Sequence, residues 1–264
     1  MSSALARVAC LIPAKDEEQR IAATVTAARN LPGVQIVIVC DDGSKDATAS
    51  RAGAAGAIVV SHHRNRGKAA AVESAVNGLG VLEQRDGRPE AGTLLLLDAD
   101  LEDSAANCAP LLEPVVTGRA DLTIAVLPAQ VRADGSAPGG FGLVMTTATR
   151  GITELTGWTP QAPLSGQRCL TRRAFELASP LAAGWGMEVG MTIDVLRAGL
   201  KITEVEINLR HRATGTDLGG QLHRAKQLRD VTRALAARGL VQSGVQELKD
   251  GGVSGLVKRL RSGR

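Results

Sequence analysis

Asp98 and Asp100 flank Ala99, directly after four consecutive leucines at 94–97. Such an apolar run reads as a buried strand, which puts both carboxylates at its carboxyl end, where ligands bind in open α/β sheets. Two carboxylates on alternate residues can share a divalent cation. All-oxygen ligands suit Mg²⁺ or Mn²⁺, and such an ion bridges diphosphate oxygens and neutralises charge as a nucleoside diphosphate leaves. The same pair also suits a solvated strand end, so it gains weight only in company.

Three further groups supply that company. Cys40-Asp41-Asp42-Gly43-Ser44 closes the apolar run 34–40. A carboxylate there can accept the imide N–H of uracil, or the N1–H and amino group of guanine. Gly43 permits a tight turn, and Ser44 suits the N-cap of a following helix with Asp46 in its first turn. Pro13-Ala14-Lys15-Asp16-Glu17-Glu18 closes the run 7–13. No GxGxxG stands there, so the phosphate is not on this first turn and hydride chemistry loses its main signature. Glu17 and Glu18 otherwise read as helix N-terminal charge. Arg64-Asn65-Arg66-Gly67-Lys68 precedes a helix, where cations and a glycine can take phosphate. It lacks P-loop spacing and otherwise reads as a basic surface turn.

These groups need elements to position them. Apolar runs at 7–13, 34–40, 57–61, 93–97 and 121–127 alternate with Ala-rich helical stretches at 17–30, 46–55, 67–79 and 104–117. Gly78 and Gly80 suit the end of the third helix. Short strands with helices between them predict an α/β fold, with a mostly parallel central sheet covered on both faces. All four groups then converge on one edge of that sheet. Residues 83–92 read as a polar surface linker, and 128–140 as a longer break rich in Gly, Pro and Ala. Beyond it the pattern predicts a helix at 142–156, a loop at 157–168, a helix from about 171, an amphipathic helix at 186–199, a strand at 201–209 and a basic helix at 220–239. There is no internal repeat.

Composition narrows the classes. With 264 residues and 44% apolar content the chain can bury a sizeable core as one α/β domain or two small ones, which excludes a disordered chain. Only 2% is aromatic, which disfavours base-stacking nucleic-acid binders. Phe141, Trp158, Phe175 and Trp185 all lie beyond residue 140, so any ring-to-sugar contact belongs to the second half. The net charge of +4 is mild and suits an anionic small molecule rather than nucleic acid. Cys10, Cys40, Cys108 and Cys169 form no CxxC pair and read as buried thiols of a cytoplasmic chain. No apolar run is long enough to span a membrane.

In chain order, IPAKDEE, VCDDGSKDAT, RNRGKAAAV and LLLLDADLED resemble the segments of family 2-type glycosyltransferases of the GT-A fold. The resemblance covers 7–105. It continues more loosely through Pro163-Leu164-Ser165-Gly166-Gln167-Arg168, Gly186-Met187-Glu188-Val189-Gly190 and 208–212. Those later pieces are similar to bacterial glucosyl-3-phosphoglycerate synthases, and the SGxR-like loop to polyprenyl-phosphate glycosyltransferases. The resemblance implies a GT-A, Rossmann-like fold with a nucleotide-sugar half at 1–127, an acceptor half at 128–239 and a basic tail at 240–264. It implies that Pro13, Ala14 and Glu17 line the nucleoside, that Asp42 meets the base, and that Lys68 faces the nucleotide or its phosphates. Asp98, Ala99 and Asp100 would form the DxD, with Asp100 the chief metal ligand and His211 completing the site as a neutral imidazole. Leu164, Ser165 and Gly166, with Gln167 and Arg168 after them, would border donor sugar and acceptor. Glu188 would bind hydroxyls or serve as a base, though helix N-terminal charge explains it equally.

The implied activity is metal-dependent transfer of a sugar from a UDP-sugar, UDP-glucose being expected, with Mg²⁺ or Mn²⁺ as cofactor. The stretch 139–144 lacks the basic residue that the synthases carry, which leaves the acceptor open between a small molecule and a lipid phosphate. A polyprenyl-phosphate enzyme would touch a membrane peripherally through the tail, whose Val253, Leu256, Val257 and Leu260 alternate with Lys258, Arg259 and Arg261. A homodimer is compatible with the pattern. A sugar-1-phosphate nucleotidyltransferase would need a Gly-rich loop bearing Arg and Lys after the first strand, and PAKDEE is not that.

Overall fold

Apolar runs become central strands when helices cover both faces of the sheet. In the computed structural model, which describes residues 7–127, 142–209 and 218–240 (218–224 as backbone alone), the first half follows that rule. β1 (Val8–Ala14), β2 (Val34–Asp41), β3 (Ile58–Ser61) and β4 (Thr93–Leu96) alternate with α1 (Ile21–Arg29), α2 (Thr48–Ala54) and α3 (Lys68–Arg85). A 3-10 stretch (Glu102–Leu111), α4 (Leu112–Val116) and β5 (Leu122–Val126) follow. The second half contributes α5 (Gly142–Thr156), β6 (Arg168–Thr171), α6 (Arg172–Ala178), α7 (Met187–Arg197), β7 (Ile202–Glu206) and α8 (Leu218–Ala237).

The described strands form one seven-stranded sheet in the order β3-β2-β1-β4-β6-β5-β7. β6 alone runs antiparallel, pairing Leu96 with Arg168 on one side and Ile124 with Arg168 on the other. Side chains alternate across β1: Val8, Cys10 and Ile12 pack under α1 and the 3-10 stretch, while Ala9 and Leu11 pack under α3. A third cluster joins α5, α7 and α8 through Ile152, Val189, Val231 and Leu235. Phe175 is buried in the core, while Trp158 is half-buried and packs against it.

Several elements depart from the sequence expectations. The 157–168 loop does not run directly into a helix, because β6 intervenes and Thr171 caps α6 by accepting from the Ala174 N–H. The expected helix at 104–117 breaks into a 3-10 stretch and α4, since Pro110 and Pro114 each lack a backbone donor. α3 does not stop at Gly78 or Gly80 but runs to Arg85. A Cβ at Gly78 would lie 2.9 Å from Val60 Cγ2, so this glycine serves close approach of helix and sheet rather than termination. The start of the expected surface linker is therefore helical. Its Glu83 is buried and takes Arg172 Nη2 on both oxygens at 2.7 Å, joining α3 to α6.

All four cysteines are free and buried. Burial pushes the Cys40 and Cys108 thiols up to about 12, which leaves them protonated packing groups. No helix among the described residues is long and apolar enough to cross a membrane. The 128–140 break and the tail beyond Leu240 lie outside the described residues.

Candidate active site

The carboxyl ends of β1, β2, β3 and β4 open on one edge of the sheet, as parallel pairing requires. Because β6 is antiparallel, its amino end reaches that same edge and carries the preceding loop with it. This brings Gly166 and Gln167 against Asp98.

Lys68, the first residue of α3, donates to Asp98 Oδ1 at 2.7 Å and lies 3.0 Å from Glu188 Oε1. Burial alone would lower the Lys68 pKa, but Asp98 and Glu188 outweigh it and hold the ammonium above the ordinary lysine range. Gln167 Nε2 donates to Asp98 Oδ2 at 2.6 Å. A Cβ at Gly166 would collide with Lys68 Nζ and lie 2.9 Å from Asp98 Oδ2, so a larger residue there would displace this pair. Glu188 is 1% exposed, and its Oε2 has no hydrogen-bond partner among the described residues. A buried acceptor without a donor is unusual and marks a place for a ligand hydroxyl.

Asp42, also buried, clasps the turn that leads into α3. Its Oδ1 accepts from Arg66 N–H at 2.7 Å and lies 2.7 Å from His62 Nδ1, and its Oδ2 accepts from Gly67 N–H at 2.8 Å. Burial would raise its pKa, but the donors from His62, Arg66 and Gly67 outweigh that and hold it below the usual carboxylate range. Gly43, with φ +71°, fits beneath the same turn: a Cβ there would lie 2.7 Å from the Arg64 carbonyl carbon. Gly43→Ala combines that clash with a left-handed φ and should cost roughly 2 kcal/mol of stability, read from urea unfolding.

Ser44 does not cap α2, which begins four residues later. Its Oγ accepts from the Asp16 N–H at 2.9 Å. Thr48 Oγ1 accepts from Glu17 N–H at 2.8 Å, and Asp16 Oδ1 from Lys45 N–H at 2.9 Å, so the loops after β1 and β2 are knitted together. Asp46 precedes α2 rather than lying in its first turn, and accepts from the Thr48 N–H at 3.0 Å. Glu17 and Glu18 likewise precede α1, and Glu17 pairs with Arg20 at 2.6 Å.

Arg168 is fully buried at the amino end of β6. It donates to Ser165 O at 2.8 Å, Thr192 Oγ1 at 3.0 Å and Pro163 O at 3.3 Å. Thr192 Oγ1 in turn donates to Glu188 O at 2.9 Å. The 163–166 loop is thereby fixed to the turn of α7 that carries Glu188. Burial pushes the guanidinium down to about 10, opposed by Glu188 and Glu204, so it stays charged at neutral pH.

A cavity of about 240 Å³ opens here, lined by Pro13, Ala14, Asp42, Gly67, Lys68 and Asp98 among others. Of the expected site residues, Glu17, Ala99, Asp100, Leu164, Ser165, Gly166 and Glu188 are not on its wall. A larger cleft of about 340 Å³ lies at the opposite, amino ends of β1 and β2, between Arg7, Gln35 and Leu79, away from this constellation. Asp100 is half-buried and makes no hydrogen bond or ion pair among the described residues. Its oxygens and those of Asp98 fit a hard cation such as Mg²⁺ or Mn²⁺. No group of three His, Cys, Asp or Glu gathers for a metal among the described residues, and His211, the expected further ligand, lies outside them. Thr192 and His62 were not foreseen as site residues. Gln167 and Arg168 belong to the SGxR-like stretch expected to border sugar and acceptor, and the structure gives them contacts to Asp98 and to the loop backbone instead.

The family model for Glycosyl transferase family 2 matches residues 9–140, half of the chain. Glucosyl-3-phosphoglycerate synthase of Mycolicibacterium smegmatis is 32% identical over 221 residues, covering 78% of this chain and 70% of that protein. Glycosyltransferase AglJ of Haloferax volcanii is 29% identical over 214 residues, and the match spans 80% of this chain but only 65% of that protein. A crystal structure of the Mycobacterium tuberculosis glucosyl-3-phosphoglycerate synthase with Mn²⁺, UDP-glucose and phosphoglyceric acid superposes with a TM-score of 0.68 at 25% identity, covering 88% of this chain and 79% of that one. The sheet described above is thus of the GT-A type, as the sequence resemblance implied.

Proposed function

Since the chain belongs to glycosyl transferase family 2, we propose that it transfers a sugar, glucose being the expected one, from a UDP-sugar to an acceptor beside Glu188. The observation that carries this reading is the convergence of Asp98, Lys68 and Asp42 on one cavity at the carboxyl ends of β1, β2 and β4, with Asp100 two residues beyond Asp98. Asp100 and Asp98 would hold Mg²⁺ or Mn²⁺, with His211 as a further ligand, and the cation would offset charge on the departing diphosphate.

The chain's own groups do the positioning. Pro13 and Ala14 form an aliphatic wall for the nucleoside, and Asp42 meets its base. The Lys68 ammonium, already held between Asp98 and Glu188, faces the phosphates as a fixed positive charge. Such preorganised charge stabilises a leaving anion without reorganisation at the moment of transfer. Glu188 Oε2 accepts a hydroxyl of the sugar or the acceptor, which satisfies its missing partner. Leu164, Ser165 and Gly166 border the sugar, held there by Arg168. Orienting the acceptor against the anomeric carbon supplies much of the remaining rate enhancement.

Calorimetric titration with UDP and Mn²⁺ tests the donor half: UDP should bind, and more tightly with Mn²⁺ than without. Absence of UDP binding at any Mn²⁺ concentration would sink the reading. The tail supports a second acceptor class, a lipid phosphate, because its apolar residues are interleaved with Lys258, Arg259 and Arg261. Flotation with anionic liposomes, with and without residues 240–264, separates that from a small-molecule acceptor.

A further inference from the structure

His62 stands at the end of β3, outside the cavity wall, and ties three elements together. Its backbone N–H donates to Asp41 O at 2.9 Å, its Nδ1 meets Asp42 Oδ1 at 2.7 Å, and its Nε2 lies 2.9 Å from Ser74 Oγ on α3. The side chain is only 6% exposed. Asp42 is held in its ionised, acceptor-only form, so Nδ1 must carry the proton and donate it.

The consequence follows from counting acceptor positions. A carboxylate has roughly four, two on each oxygen. Oδ1 of Asp42 already takes two donors, His62 Nδ1–H and Arg66 N–H, and Oδ2 takes one, Gly67 N–H. One position remains, on Oδ2. The imide edge of uracil offers one N–H and fits it. Guanine offers two adjacent donors, N1–H and the amino group, which need one free position on each oxygen. With Oδ1 filled, the second donor finds no acceptor on this carboxylate, and a donor left unpaired on binding is penalised.

We propose that His62 is a positioning residue for base selection: by saturating Oδ1 of Asp42 it restricts that carboxylate to a base presenting a single donor. This rests on the reading that Asp42 meets the base of the donor nucleotide, and it assigns a selective role to a residue that touches no substrate.

The test compares UDP, GDP and IDP binding to the full chain in the presence of Mn²⁺. IDP differs from GDP only in lacking the amino group, so the pair isolates the second donor while holding purine size constant. In the unaltered protein GDP should bind no more than about threefold tighter than IDP, because its amino group finds no acceptor. His62→Gln places its amide near the Nε2 position, keeps the Ser74 contact and frees Oδ1. GDP should then gain on IDP by about tenfold. His62→Asn places its amide near Nδ1, keeps Oδ1 occupied and should behave as the unaltered protein. GDP tenfold tighter than IDP in the unaltered protein overturns the proposal without any variant. So does a His62→Gln protein, folded by circular dichroism, whose GDP-to-IDP ratio is unchanged, or in which neither purine binds. Failure of UDP to bind the unaltered protein would instead refute the donor-site reading itself.

Discussion

Asp100→Ala should lower turnover about 10³-fold while moving the melting temperature by no more than about 2 °C. The two halves of this expectation come from the same observation. Asp100 is half-buried and no hydrogen bond or ion pair among the described residues engages it, so folding loses little when its carboxylate goes. Asp98 differs, since both of its oxygens are already tied to Lys68 and Gln167. Asp100 is therefore the carboxylate most available to a cation, and its removal should fall almost wholly on the diphosphate. Calorimetry gives the direct reading: Mn²⁺ should no longer strengthen UDP binding to the variant. An Asp100→Ala protein with unchanged Mn²⁺ dependence would mean that the cation is held elsewhere.

Arg168→Met should have the largest effect on stability, about 3 kcal/mol by urea unfolding. Methionine fills much of the volume but donates nothing. Ser165 O and Pro163 O lose their donor in the interior, and each unpaired carbonyl costs roughly 1–3 kcal/mol. Relief from burying a charge returns part of this, which is why the sum is set near the middle. Arg168→Lys should recover only part of the loss, because an ammonium cannot span Pro163, Ser165 and Thr192 as the planar fork does. Both variants should also raise KM for the donor, since the loop they loosen places Gly166 against Lys68 and Asp98. A destabilised Arg168→Met protein with an unaltered KM would show that the loop does not depend on this anchor.

The sequence was most legible where local pattern and placement coincide. The leucine run before Asp98 and the β-type runs 7–13 and 34–40 are β4, β1 and β2, and their ends share one edge. Parallel pairing makes that convergence nearly automatic once the strands are recognised. Legibility failed where a residue's role depends on something distant. Ser44 looks like a helix cap because cap residues are recognised by type and position, yet its hydroxyl serves Asp16 from the neighbouring loop. Gly78 looks like a helix stop, but Val60 of an adjacent strand is the reason for it. β6 has only four residues and too little periodicity to show itself beside a helix.

By itself, the order of residues determined the α/β class, the strand ends that bear Asp42, Asp98 and Asp100, and the family to which the chain belongs, because these depend on hydrophobic periodicity and short contiguous motifs. Only the tertiary structure decided that an antiparallel β6 carries Gly166 and Gln167 onto Asp98, that Lys68 bridges Asp98 and Glu188, and that His62 occupies an oxygen of Asp42. Those contacts join residues 20 to 120 positions apart in sequence. They arise when strands pair and helices bury their apolar faces, and no local pattern encodes which distant donor will meet a given carboxylate.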